Sequence, residues 1–99
     1  MKTAFIVLKS PTEQDPTHLM KRLGERAESS AILVEDGVYQ ATVATSAERL
    51  SKAAAEVIVS KEDLEARGYS QSDLKVGKAA GYDDIVDCIM ERTERTVTI

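Results

Sequence analysis

The 99-residue chain is expected to fold as an α/β protein, a three-layer α/β/α sandwich with a mostly parallel five-stranded sheet. Three features lead there. Short apolar runs recur along the chain, as suits strands buried on both faces of a parallel sheet. Segments with apolar residues at helical spacing separate them, giving the rhythm βαβαβαβαβ. The stretch Ala31-Ile32-Leu33-Val34-Glu35-Asp36-Gly37-Val38-Tyr39 shows the pattern most clearly, because its apolar run stops in two carboxylates and a glycine. In open α/β sheets, ligands and partners gather at the carboxyl ends of strands, and Glu35, Asp36 and Gly37 would sit there.

The elements follow in order. Thr3 to Leu8 reads as a first strand, stopped by Lys9-Ser10-Pro11. Asp15 is a candidate N-cap and Pro16 suits the first helical position; Leu19, Met20, Leu23 and Ala27 then share one face. The second strand is Ala31 to Glu35. Thr45-Ser46-Ala47-Glu48 has the form of a capping box opening an alanine-rich helix from Ser46 to Ala54, and about twenty residues permit a crossover to a parallel strand. Glu56 to Val59 is the third strand, followed by a short helix through Ala66 with Ser60-Lys61-Glu62-Asp63 as its cap and Gly68 as its stop. Leu74 to Gly77 is expected as the fourth strand. In the last helix Tyr82, Ile85, Val86 and Ile89 share one face, while Asp83, Asp84, Asp87 and Glu91 occupy the other. Thr96 to Ile99 alternates like a terminal strand.

Residues 1–99 are read as a single domain with an ordinary globular composition, 42% hydrophobic and 30% charged. A formal charge of −4 argues against a broad basic surface, so direct nucleic-acid binding is not expected. No apolar run approaches the roughly 18 residues that would cross a bilayer, and Met1 to Leu8 is too short for a signal peptide. The expected location is the cytoplasm, with no membrane partner. One cysteine, Cys88, and one histidine, His18, give neither an internal disulfide nor a metal site of usual spacing.

Catalytic motifs are mostly absent. The glycines at 24, 37, 68, 77 and 81 match neither a dinucleotide-binding fingerprint nor a phosphate loop, so no cofactor is expected. No serine lies in a nucleophile elbow, and His18 reads as a partly exposed residue of its helix. Glu35 and Asp36 would point to opposite faces of a strand, which argues against shared acid–base work. Their turn has two readings. Asp36 caps following N–H groups while Gly37 takes a backbone angle other residues avoid, or the loop faces partner subunits with Tyr39 as an aromatic anchor.

Lys9-Ser10-Pro11, Glu35-Asp36-Gly37-Val38-Tyr39 with Ala41, Asp63-Leu64-Glu65-Ala66-Arg67-Gly68-Tyr69 and Tyr82-Asp83-Asp84-Ile85-Val86 together resemble the DsrH/TusB family, in order and with similar spacing. The resemblance spans nearly the whole chain and implies a flavodoxin-like domain of the wider DsrE/DsrF/DsrH group. It also implies partners: DsrE/TusD-like and DsrF/TusC-like subunits in a hexamer that relays persulfide sulfur to a downstream acceptor protein. That sulfur serves 2-thiolation of the tRNA wobble uridine or dissimilatory sulfur oxidation.

Many members carry a persulfide-holding cysteine in the first helix, and the resemblance places that position at Met20. A thioether cannot form a thiolate or carry transferable sulfur, so Met20 reads as core packing. Cys88 is the remaining candidate nucleophile. It lies within the last helix beside Asp84 and Glu91, which oppose thiolate formation, with Arg92 as partial relief. The expectation is therefore a non-catalytic relay subunit with interface residues Glu35, Asp36, Gly37, Tyr39, Arg67 and Tyr69. For Arg67 and Tyr69 a plain role in a capped, solvated surface helix stands beside that of rim and anchor. Two alternatives remain: a persulfide carrier or sulfurtransferase acting through Cys88, and a free-standing, self-associating small-ligand or regulatory module.

Overall fold

The structure, a computed structural model, describes all residues from Met1 to Ile99. Its centre is a five-stranded sheet in the order β4-β3-β2-β1-β5, parallel throughout, formed by β1 (Thr3–Val7), β2 (Ser29–Leu33), β3 (Glu56–Ser60), β4 (Lys78–Ala80) and β5 (Arg95–Thr98). The helices are α1 (Thr17–Leu23), α2 (Ala44–Ala53), α3 (Lys61–Ala66) and α4 (Tyr82–Asp87), the last continued by a π-helical turn over Cys88–Arg92. Strand pairing and the helices on both faces make the expected α/β/α sandwich.

Side-chain alternation divides the core. Phe5, Val7, Ala31, Leu33, Val57 and Val59 meet Met20 of α1, Leu50 of α2 and Leu64 of α3 on one face. Ala4, Ile32 and Ile58 point the other way and meet Ile85 and Cys88. Three helices thus cover one face and α4 alone covers the other.

Several local expectations are corrected. Asp15 does accept the Thr17 amide, at 3.0 Å, but Pro16 is the cap residue and α1 ends at Leu23, leaving Ala27 exposed in a 3-10 turn. The second strand ends at Leu33 rather than Glu35 because a 3-10 turn, Glu35–Ala41, begins there. No capping box opens α2: the Ser46 hydroxyl donates to the carbonyls of Gln40 (2.8 Å) and Val43 (3.1 Å), and the helix starts earlier, at Ala44. Leu74 to Gly77 is a loop. Its apolar residues Leu74 and Val76 are held against the larger core and the Lys75 amide donates to Ala41, so the fourth strand begins only at Lys78. Tyr82, expected on the buried face of the last helix, is 73% exposed. Ser60 caps α3 as expected, accepting the Asp63 amide at a long 3.4 Å.

Candidate functional site

The residues singled out after β2 and after α3 converge on one cluster at the carboxyl edge of the sheet. Two segments far apart in sequence build it: the 3-10 turn Glu35–Ala41 and the exit of α3 at Arg67–Tyr69. Asp36 Oδ1 accepts from Arg67 Nε at 3.1 Å and from Nη2 at 2.8 Å. The third edge of the guanidinium, Nη1, donates to the Asp63 carbonyl at 3.0 Å, so the turn and the helix end are tied through one side chain. Arg67 also lies 5.9 Å from the centroid of Tyr39, and Tyr39 meets Tyr69 edge-on at 5.9 Å and 87°. The hydrogen bond to Asp36, with Asp63 and Tyr39 nearby, raises the Arg67 pKa further above its already high ordinary value.

The backbone fits this arrangement at a cost. Glu35 has φ 51, a left-handed angle that L residues avoid, and its amide is held by Asp63 Oδ2 at 2.9 Å. Gly37 is required for space and not, as expected, for an unusual backbone angle: a Cβ there would lie 2.0 Å from the Val7 carbonyl oxygen at the end of β1. Asp36 does not cap the following turn either, because its carboxylate is spent on Arg67. Gln40 is a participant that the sequence reading missed. Buried within the turn, its amide donates to the carbonyls of Lys9 (3.1 Å) and Gln14 (3.0 Å) and anchors the loop between β1 and α1. A polar residue between the apolar Val38 and Ala41 was the only trace of that role in the sequence.

The cluster offers no acid–base pair. Asp36 is ion-paired, Glu35 is exposed with its carboxylate unbonded, and Tyr39 and Tyr69 are half-buried ring contacts. What it presents is a rigid, aromatic and charged edge, chemistry that suits recognition of a protein surface.

The candidate sulfur positions lie elsewhere. Met20 is fully buried in the larger core. Cys88 is likewise fully buried, on the opposite face of the sheet from the Arg67 cluster. Burial pushes its thiol above the ordinary range, with Arg92 pulling down and Glu56 pushing up. The charges that matter are therefore not Asp84 and Glu91, as the sequence suggested. Arg92 is engaged with Glu56 at 3.0 Å and Glu56 also accepts from Ser30 at 2.9 Å, so the guanidinium's charge is shared before it reaches the sulfur. A cleft of about 650 Å³ runs beside α4 along β3 and β4, and Glu56, Asp84, Asp87 and Glu91 are among its walls. No group of three His, Cys, Asp or Glu side chains is arranged to hold a metal ion, and no helix is long and apolar enough to cross a membrane.

The family model described as DsrH like protein matches residues 9–95. The chain belongs to the DsrH-like family. The solution NMR structure of protein Tm0979 from Thermotoga maritima is similar to this DsrH-like chain, with 31% identity, 87% of this chain and 90% of that one covered, and a TM-score of 0.62. Curated proteins give no match. Membership in the DsrH-like family supports a role related to sulfur relay, and the match takes in both segments of the Arg67 cluster as well as α4.

Proposed function

We propose that this DsrH-like chain is a non-catalytic, single-domain subunit of a sulfur-relay assembly, and that a cysteine on a DsrE-like partner carries the persulfide. The observation that carries this reading is the state of the chain's one thiol: Cys88 is fully buried and its pKa is raised, so neither access nor ionisation favours attack on a sulfur donor. Partners are DsrE/TusD-like and DsrF/TusC-like subunits, with delivery onward to a cytoplasmic acceptor protein. The relay serves tRNA wobble-uridine thiolation or sulfur oxidation, chemistries that both draw on a persulfide formed elsewhere.

The edge formed by Asp36, Tyr39, Arg67 and Tyr69 is assigned to contact with those subunits. Glu35 and Gly37 act within it by shaping the turn. Native mass spectrometry of the chain co-expressed with DsrE-like and DsrF-like subunits tests the proposal. A stable hetero-oligomer is expected, and a chain that ignores both subunits would sink the idea. Loading with a persulfide donor separates the carrier alternative: no added sulfur mass is expected on this chain, and a +32 Da adduct, an ordinary sulfur increment of about 32 Da, lost in Cys88→Ser would reverse the assignment.

A further inference from the structure

The side of the molecule opposite the Arg67 cluster is built differently. Only α4 and its π turn lie on that face, so the sheet beside them stays open: Ile6 and Val34 are half-buried, and Thr96 and Thr98 of the edge strand are exposed. Tyr82 and Val86 share one flank of α4 and Met90 is exposed in the π turn that follows, whereas Asp84, Asp87 and Glu91 line the cleft on the other flank. The acidic flank lines the cleft along β3 and β4, so the apolar flank borders the open strip over β1 and β5. Tyr82 and Met90 are 73% and 72% exposed there, among the most exposed large apolar side chains of the chain.

The carboxylates of this helix are closely spaced and carry no ion pair. Asp83, Asp84, Asp87 and Glu91 all fall within α4 and its π turn, and, as at other exposed carboxylates such as Glu62 and Glu65, no cation of the chain bonds them. Asp83 and Asp84 in the first turn gain from the helix dipole. Asp87 and Glu91 lie beyond it; Asp83 and Asp87 are like charges at i,i+4 spacing, which costs an isolated helix stability, and Glu91 adds a further carboxylate in the π turn. A two-fold contact of this face with itself would set the acidic row of one copy near that of the other, with only Lys78 beside the cleft as a cation outside the ion pairs.

The geometry points to a docking surface for a relay subunit whose own face carries an apolar ridge flanked by Lys or Arg. The ridge seats between α4 and the open strip over β1 and β5, against Met90, Tyr82 and Ile6, while its cations meet the Asp87–Glu91 row. Exposed apolar side chains then become the buried centre of an interface and the carboxylates its complementary rim. This inference rests on the relay-subunit reading and specifies where and with what chemistry the partner binds.

The test uses the co-expressed assembly described above. Asp87→Lys/Glu91→Lys and, separately, Met90→Ala are expected to weaken assembly about tenfold each, and added salt weakens the wild-type assembly more than the charge-reversed one. Thermal unfolding of the free variants keeps misfolding out of the comparison: the reversal trades one like-charge pair on an exposed helix for another, so the two Tm values are expected to stay close. Glu48→Lys, at an exposed position of α2 remote from both proposed contacts, is the control and leaves assembly unchanged. A wild-type assembly that both α4 variants leave intact would overturn the docking surface alone. A homodimer lost in Met90→Ala would overturn the partner assigned to it, and failure of the wild-type chain to assemble would remove the relay-subunit reading together with this one.

Discussion

Gly37→Ala tests the packing that holds the candidate edge in place. The added Cβ would lie 2.0 Å from the Val7 carbonyl oxygen and 2.7 Å from its carbon, where real Cβ contacts stay beyond 3.0 Å. Restoring that contact moves backbone by about 1 Å, the difference between 3.0 and 2.0. Neither side can yield cheaply: Val7 lies in a strand paired on both sides, its carbonyl accepts from Val34 at 3.1 Å, and the turn is tied to α3 through Arg67. The cost is about 3 kcal/mol, at the upper end for overpacking, out of a total stability on the order of 5–15 kcal/mol. A domain of this size then loses roughly 12–24 °C in Tm. Gly68→Ala is the comparison, because nothing lies within 4 Å of its Cβ and only its φ of 81° resists, for about 1 kcal/mol. Urea unfolding of the two variants checks the order. A Gly37→Ala chain as stable as Gly68→Ala would refute the argument from space.

Three further outcomes are expected. Gln40→Ala removes a buried amide that serves two carbonyls and should cost about 2–3 kcal/mol by urea unfolding, with faster amide exchange in residues 9–16. Cys88 has a folded-state pKa above that of the unfolded chain, so its contribution is fully present below the unfolded value of about 8.5 and is lost as pH rises through the folded value; Cys88→Ala should flatten the alkaline fall in Tm. Asp15 is the reverse case: burial opposes its charge, but the Thr17 hydrogen bonds and Arg49 outweigh this and lower its pKa, so its contribution is present above the unfolded value of about 3.9 and is lost on further acidification, a loss that Asp15→Asn should reduce.

The sequence carried the fold where burial was unambiguous. Phe5, Ile32 and Ile58 lie in strands read correctly because continuous apolar runs leave few other options, and Gly68 stopped α3 as expected. Boundaries failed where distant residues decide them. Leu74 and Val76 have strand composition, but contacts with the larger core hold them in a loop. The candidate edge was legible as a set of residues and not as an arrangement: local sequence shows a carboxylate at 36 and a guanidinium at 67, but their bond joins residues 31 positions apart. Gly37 is legible as a turn residue but not as a requirement for space, since nothing near it in sequence shows that the end of β1 passes beside it.

Strand order explains why the two faces offer different surfaces. From β1 through β4 the chain steps steadily in one direction, and parallel crossovers of one hand then put α1, α2 and α3 on the same side. Only the return from β4 to β5, on the far side of β1, reverses direction and brings α4 to the other side. One short helix cannot span a five-stranded sheet, so the strip over β1 and β5 is left open by topology before any side chain is chosen. The chosen side chains then fit an interface: Met90 and Tyr82 stay apolar although exposed, and Thr96 and Thr98 leave that face of the edge strand without charge. On the thickly covered face the same economy gives the opposite result, because Arg67, Asp36 and Asp63 satisfy one another and stiffen the edge before any partner arrives. A partner at that edge would meet a preorganised surface, whereas one at α4 would bring cations to a row of carboxylates that no internal ion pair satisfies.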